Sequence, residues 1–281
     1  MQRPIATASI LAAIFVTAVA PAGAARAQVG RPCERSANSC ISLEVVKPGF
    51  HDDDFDYTFM SSTLRLNGRI RATERLFFEG ELPFVSAAEG VGDWSASAIG
   101  NPYLGLAAVL PNSSATLSLG FRLPLTRDDE EDANILGIYS DVSSYEAFLP
   151  DVAAASLAAN FSRYLGSHAR IEPHLGGSLL LDTSGNSQID PEFLIDYGID
   201  LSYDRRAISL GAGFIGRSIL TEEGDFGERS FAELELSAGY RLGALTPRLR
   251  FRLPLDDDLN DALAYVASFS ISIGIPGRRG S

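Results

Sequence analysis

From about Ile41 to Ile275 apolar and polar residues alternate with a period of two, a pattern that strands with one apolar face satisfy and helices do not. Leu64, Leu66 and Ile70 alternate with Arg65, Asn67 and Arg69. Leu117, Leu119, Phe121, Leu123 and Leu125 oppose Thr116, Ser118 and Arg122, while Leu249, Phe251, Leu253 and Leu255 oppose Arg248, Arg250 and Arg252. The last such segment sets Phe269, Ile271, Ile273 and Ile275 against Ser268, Ser270 and Ser272. The pattern predicts strands over 41–47, 57–70, 76–85, 100–110, 115–125, 152–164, 168–181, 192–204, 206–219, 230–241, 245–255 and 262–275. Most are longer than the usual globular strand of about 5–6 residues and long enough for a tilted membrane-spanning strand of about 9–11.

The connections alternate as well. Short turns fall near Arg71–Arg75, Pro111–Ser114, Gly166–Ser167, Asp204–Arg205 and Leu242–Ala244. Long connections fall at Pro48–Asp56, Ser86–Ile99, Thr126–Asp151, Asp182–Pro191, Thr221–Arg229 and Asp256–Asp261. Tight periplasmic turns with longer extracellular loops are the arrangement of outer-membrane barrels. The expected fold is therefore all-β, a twelve-stranded antiparallel transmembrane β-barrel of the outer-membrane type over 41–275, with both termini periplasmic. A soluble exported sandwich also has alternating strands. Its polar faces, however, would resemble any water-exposed surface, and here they are built from Arg, Glu, Ser, Thr, Asn and Gly without Lys, the chain's one lysine being Lys47. Slipping a strand by one residue would turn such a face to lipid, at about 2–4 kcal/mol for each arginine at the midplane.

The N-terminus fits export. Arg3 precedes an apolar run from Ile5 to Ala20, and Ala25-Arg26-Ala27 fits a small-x-small cleavage site, so 1–27 reads as a signal peptide. Its removal takes Arg3 and Arg26, leaving 21 of the 23 basic residues against 36 acidic ones. That balance excludes a nucleic-acid partner, which would need clustered cations. Residues 28–40 form a periplasmic segment in which Cys33 and Cys40 bracket a short polar loop. In an exported chain the pair fits a disulfide better than a metal site, since two thiolates supply half a zinc shell. Residues 276–281 are a C-terminal tail. It lacks the terminal aromatic residue that the barrel assembly machinery reads, which leaves two readings: Phe269 as an internal substitute, or the tail as an extension beyond the signal.

Strand parity places Arg65, Arg69, Arg122, Arg170, Arg248, Arg250 and Arg252 in the lumen beside Glu79, Glu81, Glu172, Glu233, Glu235, Asp196 and Asp200, with Tyr103 and His174 on the same lining. One tight turn after β-strand 230–241 sets Glu235 opposite Arg250 and Glu233 opposite Arg252; a turn one residue later sets Glu235 opposite Arg252. Around Arg71–Arg75, Glu79 or Glu81 comes opposite Arg65, and across Pro111–Ser114 Tyr103 falls opposite Arg122, a cation–π geometry. Two readings follow: charges knit together to plug the barrel, or charges left exposed along a narrow aqueous path. Twelve strands sit between the eight that side chains fill and the sixteen that leave a channel.

The long connections carry acidic runs, His51-Asp52-Asp53-Asp54-Phe55-Asp56, Asp128 to Asp132, Glu222 to Asp225 and Asp256 to Asp258. Solvated charge that keeps loops soluble explains them better than divalent ions bridging to lipopolysaccharide, because none has the glycine and terminal glutamate of a calcium loop. No cofactor or metal is expected. A lipid hydrolase needs a histidine and a serine together on the outer face. Of the three histidines His51 is in a loop, His168 starts a strand after a turn and His174 points inward, so none is expected to face outward. With no G-x-S-x-G elbow either, the chain reads as a non-enzyme. The expected function is a channel passing a small-molecule solute through outer-membrane lipid. The alternative is a structural or adhesion barrel with a closed lumen and acidic loops outside.

The run Gly92-Asp93-Trp94 to Ile99-Gly100-Asn101-Pro102-Tyr103-Leu104-Gly105-Leu106 resembles outer-membrane barrels of the phenol-degradation meta-pathway type, whose strands open with Gly-Asn-Pro-Tyr-x-Gly after an acidic loop. Glu81-Leu82-Pro83-Phe84, Phe121-Arg122-Leu123-Pro124-Leu125 and Phe251-Arg252-Leu253-Pro254-Leu255 are similar to the Leu-Pro that precedes loops in that group. The resemblance spans about 57–275 and implies a channel for small, often hydrophobic or aromatic compounds.

Overall fold

The alternating segments pair in chain order, and the last returns to the first. In the computed structural model the strands are β1 (Ser39–Phe50), β2 (Ser62–Arg71), β3 (Leu76–Ala88), β4 (Ser95–Ile99), β5 (Tyr103–Val109), β6 (Ala115–Arg122) and β7 (Val152–Phe161). They continue as β8 (Arg163–Leu165), β9 (Ala169–Asp182), β10 (Glu192–Arg205), β11 (Ile208–Ile219), β12 (Ser230–Tyr240), β13 (Leu245–Pro254) and β14 (Leu263–Ile275). β4 and β5 both lie along β3, Phe84 facing Ile99 and Glu81 facing Tyr103, so they are two halves of one stave broken at Gly100–Pro102. β8 prolongs β7 along β9. β14 closes on β1 from Cys40↔Gly274 to Phe50↔Leu263, with one irregularity at Gly49. The result is a closed twelve-stranded antiparallel barrel.

The structure describes residues 33, 39–51, 61–88, 95–111, 114–184, 191–222 and 229–275. The expected leader (1–27), the tail (276–281), the first residues of the second expected strand (57–60), and the acidic stretches 52–56 and 223–225 lie outside them. Cys33 and Cys40 are joined in a disulfide, their Cα atoms 5.4 Å apart.

Solvent exposure is inverted relative to a water-soluble protein. Along β1, Ile41, Leu43 and Val45 are exposed while Ser42 and Glu44 are buried, and along β2 Leu64, Leu66 and Ile70 are exposed while Arg65, Asn67 and Arg69 are buried. The same inversion runs around the wall through Leu119, Leu157, Leu201, Leu236, Leu249 and Ile271. A water-exposed surface rarely carries contiguous apolar patches of more than a few hundred Å². A band of this kind belongs against hydrocarbon, on a sheet that closes on itself and leaves no open edge strand there.

Three local details differ from the sequence pattern. The connection expected at Ser86–Ile99 is mostly strand, since β3 runs on to Ala88 and β4 pairs with it. The segment expected to open at Gly100 is therefore interrupted there rather than begun. The turn expected at Asp204–Arg205 falls at Arg206–Ala207, with Arg206 at φ 55°. At the β12–β13 turn Gly243 adopts φ 63°, a left-handed conformation that glycine tolerates without a Cβ penalty.

The connection expected as the third long extracellular loop, Thr126–Asp151, folds into the barrel mouth. After a single 3₁₀ turn (Asp128–Glu130) come α1 (Glu131–Ser140) and a second 3₁₀ stretch (Val142–Ala147). Ala133, Leu136, Ala147 and Phe148 pack on Val85, Ala87 and Ala98 of the wall, and Val142 packs with Val46, Leu263 and Val266. Leu259 of a second short helix, α2 (Asp257–Ala262), joins that cluster. The acidic runs are partly structural: Asp256 accepts the Leu259 amide at 2.8 Å as the cap of α2. Asp128 to Asp132 occupy first turns of the loop helices, where negative charge is favoured.

Candidate functional site: an inward loop pinned to wall arginines

The inner face carries ion pairs in tiers. Nearest the short turns, Arg69 Nη1 lies 3.1 Å from Glu79 and stacks over Phe77 at 4.2 Å, while Arg170 lies 2.9 Å from Glu172. Arg248 donates to Ser209 at 3.4 Å. Farther in, Arg250 sits between Glu44 (3.6 Å) and Glu235 (3.7 Å), and Ser268 donates to Glu44 at 2.8 Å. Toward the long connections Arg122 meets Glu81 at 2.8 Å, Arg217 meets Asp196, and Arg252 meets Glu233 at 3.1 Å. His174 and Asp200 stand 3.9 Å apart.

The register decides between the alternatives left open by the sequence. Glu235 faces Arg252 and Glu233 faces Pro254, so the β12–β13 turn is the later one. Neither Glu79 nor Glu81 faces Arg65: β2 and β3 pair Arg69 with Glu79, Asn67 with Glu81, and Arg65 with Pro83. Tyr103 faces Arg122, the guanidinium 5.6 Å from the ring, and the ring lies across Gly105 and Gly120, where any Cβ would collide with it. His168, at the β8–β9 turn, is exposed and stacks on the outward Tyr203 at 5.9 Å, next to Ser167.

Onto this wall the loop projects two carboxylates. Asp141 bridges Arg65 and Arg252, accepting from Arg252 Nη1 at 2.7 Å, and Ser143 donates to it at 2.6 Å. Arg252 Nη2 also donates to the Ser140 carbonyl at 2.6 Å. Glu146 bridges Arg217 (2.6 Å) and Arg122 (3.5 Å). Burial opposes ionisation of both acids, but the guanidiniums outweigh it. Arg65 and Arg252 hold Asp141 well below the usual carboxylate range, and Arg217 and Arg122 lower Glu146. Burial raises the phenol of Tyr145 between them, against the pull of Arg217 lying 5.5 Å from its ring.

Asn101, fully buried at the break between β4 and β5, clamps the loop. Its side-chain amide donates to the carbonyls of Glu146 (2.9 Å) and Leu149 (2.8 Å). Its Oδ1 accepts the amides of Leu125 (2.8 Å) and Thr126 (2.9 Å), and its own backbone amide donates to Ala147 O at 2.6 Å. Gly100 beside it leaves room for that carbonyl, because a Cβ would strike Ala147 O. The Gly-Asn-Pro run is thus a loop dock within a stave.

Beneath the loop lies a cavity of about 180 Å³. It is lined by Arg65, Arg122, Arg217, Arg250 and Arg252 against Glu44, Glu81, Asp196, Glu235 and the loop's Asp141 and Glu146, with Tyr103 and His174 beside them. Arg69, Glu79, Arg170, Glu172, Asp200, Glu233 and Arg248 are not part of this lining. Such a volume holds about six waters. Glu44 and Arg217 are absent from the lining expected from the sequence, although both obey the strand alternation and parity alone would have found them; Asp141, Glu146 and Asn101 sit where no period applies.

A closed antiparallel barrel with an apolar outer band, a charged interior and a loop folded into its mouth is an outer-membrane β-barrel by fold. An outer membrane channel from Pseudomonas putida F1 superposes with a TM-score of 0.58 at 14% identity, covering 89% of this chain and all of that one. The NanC porin gives 0.51 at 7% identity, and LpxR from Salmonella typhimurium 0.51 at 9%, each covering 84% of this chain and all of the other. No family model and no curated protein sequence matches.

Proposed function

We propose that this protein is an outer-membrane channel that admits small solutes by passive diffusion, with the inward loop Thr126–Asp151 as its constriction. The observation that carries this reading is the ion pairing of Asp141 and Glu146 to four wall arginines above a polar cavity. Buried ion pairs are poor stabilisers compared with apolar packing of the same volume. A barrel whose interior served only as structure would be filled better by apolar side chains. An adhesion barrel would direct its charged loop groups outward, whereas here the most buried loop carboxylates turn in. Charged side chains converge on the cavity, which favours small polar solutes over the aromatic compounds that the sequence resemblance implies. Tight turns facing the periplasm, with both chain ends on that side, complete the reading, along with outer-membrane lipid and lipopolysaccharide around the wall and insertion by the barrel assembly machinery. The chemistry proposed is transport alone. The Ser167–His168 pair is a contact between chain neighbours at an exposed turn, where the imidazole stacks on Tyr203 and, among the described residues, pairs with no carboxylate of the kind that orients a catalytic base.

Planar-bilayer recording of the purified full-length protein tests this. Small stepwise conductances are expected. A barrel that stays silent, together with unchanged small-solute uptake in a deletion strain, overturns it.

A further inference from the structure

Arg65 and Arg69 lie on the same inward face of β2, yet they are treated differently. Arg69 faces Glu79 across the β2–β3 ladder and pairs with it at 3.1 Å, whereas Arg65 faces Pro83 on β3 and Glu44 on β1 and makes its direct ion pair with neither. Among the described residues the only ion pair of Arg65 within 4 Å is with Asp141, so the loop carboxylate, not the neighbouring wall acids Glu44 and Glu81, makes its direct contact. Arg252 approaches the same carboxylate from β13, three strands away around the closure. Arg65 engages Oδ2 and Arg252 engages Oδ1, one guanidinium to each oxygen. That is how a carboxylate receptor is built, because charge-assisted bonds to both oxygens fix the position and the plane of the anion. Capacity remains: Nε and Nη2 of Arg65 are buried and make no hydrogen bond, on a side chain 6% exposed that lines the cavity.

We propose that Arg65 and Arg252 form a carboxylate-binding port in the barrel wall, that Asp141 occupies it as a tethered competitor, and that small organic carboxylates displace Asp141 to enter. Only the last clause rests on the channel reading. A tethered group competes at an effective concentration in the mM range, so free carboxylates act at similar concentrations. Their apparent affinity is reduced by the fraction of time the port is free, and neutralising the competitor restores it.

Succinate is the probe, with sodium chloride at matched ionic strength as control, on the full-length protein in detergent micelles. Calorimetry is expected to show Asp141→Asn binding succinate about tenfold more tightly than wild type, and Arg65→Met binding none. In the wild type, succinate and not chloride is expected to speed amide hydrogen exchange across 136–148. Equal affinity of wild type and D141N, or equal effects of succinate and chloride, overturns the port. Should D141N fail to give the heat-shifted band of a folded barrel, exchange in the wild type decides alone. Binding in micelles needs no conduction, so a barrel that binds succinate but never conducts refutes the channel and leaves the port standing. A conducting barrel that binds none refutes the port alone.

Discussion

Arg252 Nη1 donates to Asp141 Oδ1 at 2.7 Å, joining residues 111 positions apart in the chain. The contact fixes the middle loop to the last hairpin across the barrel mouth. With Arg65 on the other carboxylate oxygen, it makes Asp141 the most heavily compensated charge on the loop.

Removing that carboxylate takes the ion-pair partner from Arg65 and leaves Arg252 paired with Glu233 alone. Breaking a buried pair from one side costs about 3–5 kcal/mol, so Asp141→Ala is expected to loosen the loop and raise single-channel conductance. Pairing Asp141→Leu with Arg65→Met, which removes both charges of that pair and leaves Arg252 on Glu233, is expected to restore part of the slow hydrogen exchange over 136–148. Slow exchange in the single variant would contradict the assignment.

Acid reaches the same lock by titration. The carboxyls of Asp141 and Glu146 lie lower in the folded protein than the ordinary carboxylate range near about 4. A depressed folded value means that their contribution is complete above that range and is lost as pH falls through the lowered values. The loop is therefore expected to stay docked from pH 7 to about 5 and to loosen only below about 4. Conductance or hydrogen exchange against pH reads this directly, and D141N/E146Q should flatten the profile. Loosening already at pH 6 would show that arginine pairing does not dominate these acids.

Asn101→Ala takes its bond from the carbonyls of Glu146 and Leu149 and from the amide of Thr126, while the Leu125 amide keeps the Leu123 carbonyl. At about 1–3 kcal/mol for each stranded group, partly relieved by water, a total loss of about 3 kcal/mol or more of loop docking is expected. Protease sensitivity within 126–151 is the measurement, and the heat-shifted gel band of the barrel should persist, since the wall ladders are untouched.

Leu119 projects outward from the middle of β6, and its neighbour Ser118 faces in. Leu119→Arg is expected to cost about 2–4 kcal/mol when unfolding is followed from lipid vesicles. A cost near zero would mean that this face meets water.

The wall was readable because alternation is a local property. Strand twist and pleat impose a period of two whatever lies across the barrel, so residues such as Glu44, Arg122 and Arg217 reveal their side by parity alone. Short-turn pairings were readable only to within one residue. Tyr103 opposite Arg122 follows from one turn placement, while Glu235 opposite Arg252 required the β12–β13 turn to be located. The acids of the long connections read as solvated charge. Asp256 instead caps α2, because a short helix at that point buries Leu259 against the barrel.

The amino-acid sequence by itself determined a closed, membrane-facing sheet and which side chains turn inward, because burial of one strand face in hydrocarbon penalises every other register. The tertiary structure alone decided what fills the mouth. Asp141, Glu146 and Asn101 lie in or beside aperiodic chain, and their partners are 21 to 111 residues away. Contacts of that kind exist only once the ring has closed and brought β2, β6, β11 and β13 around a common axis.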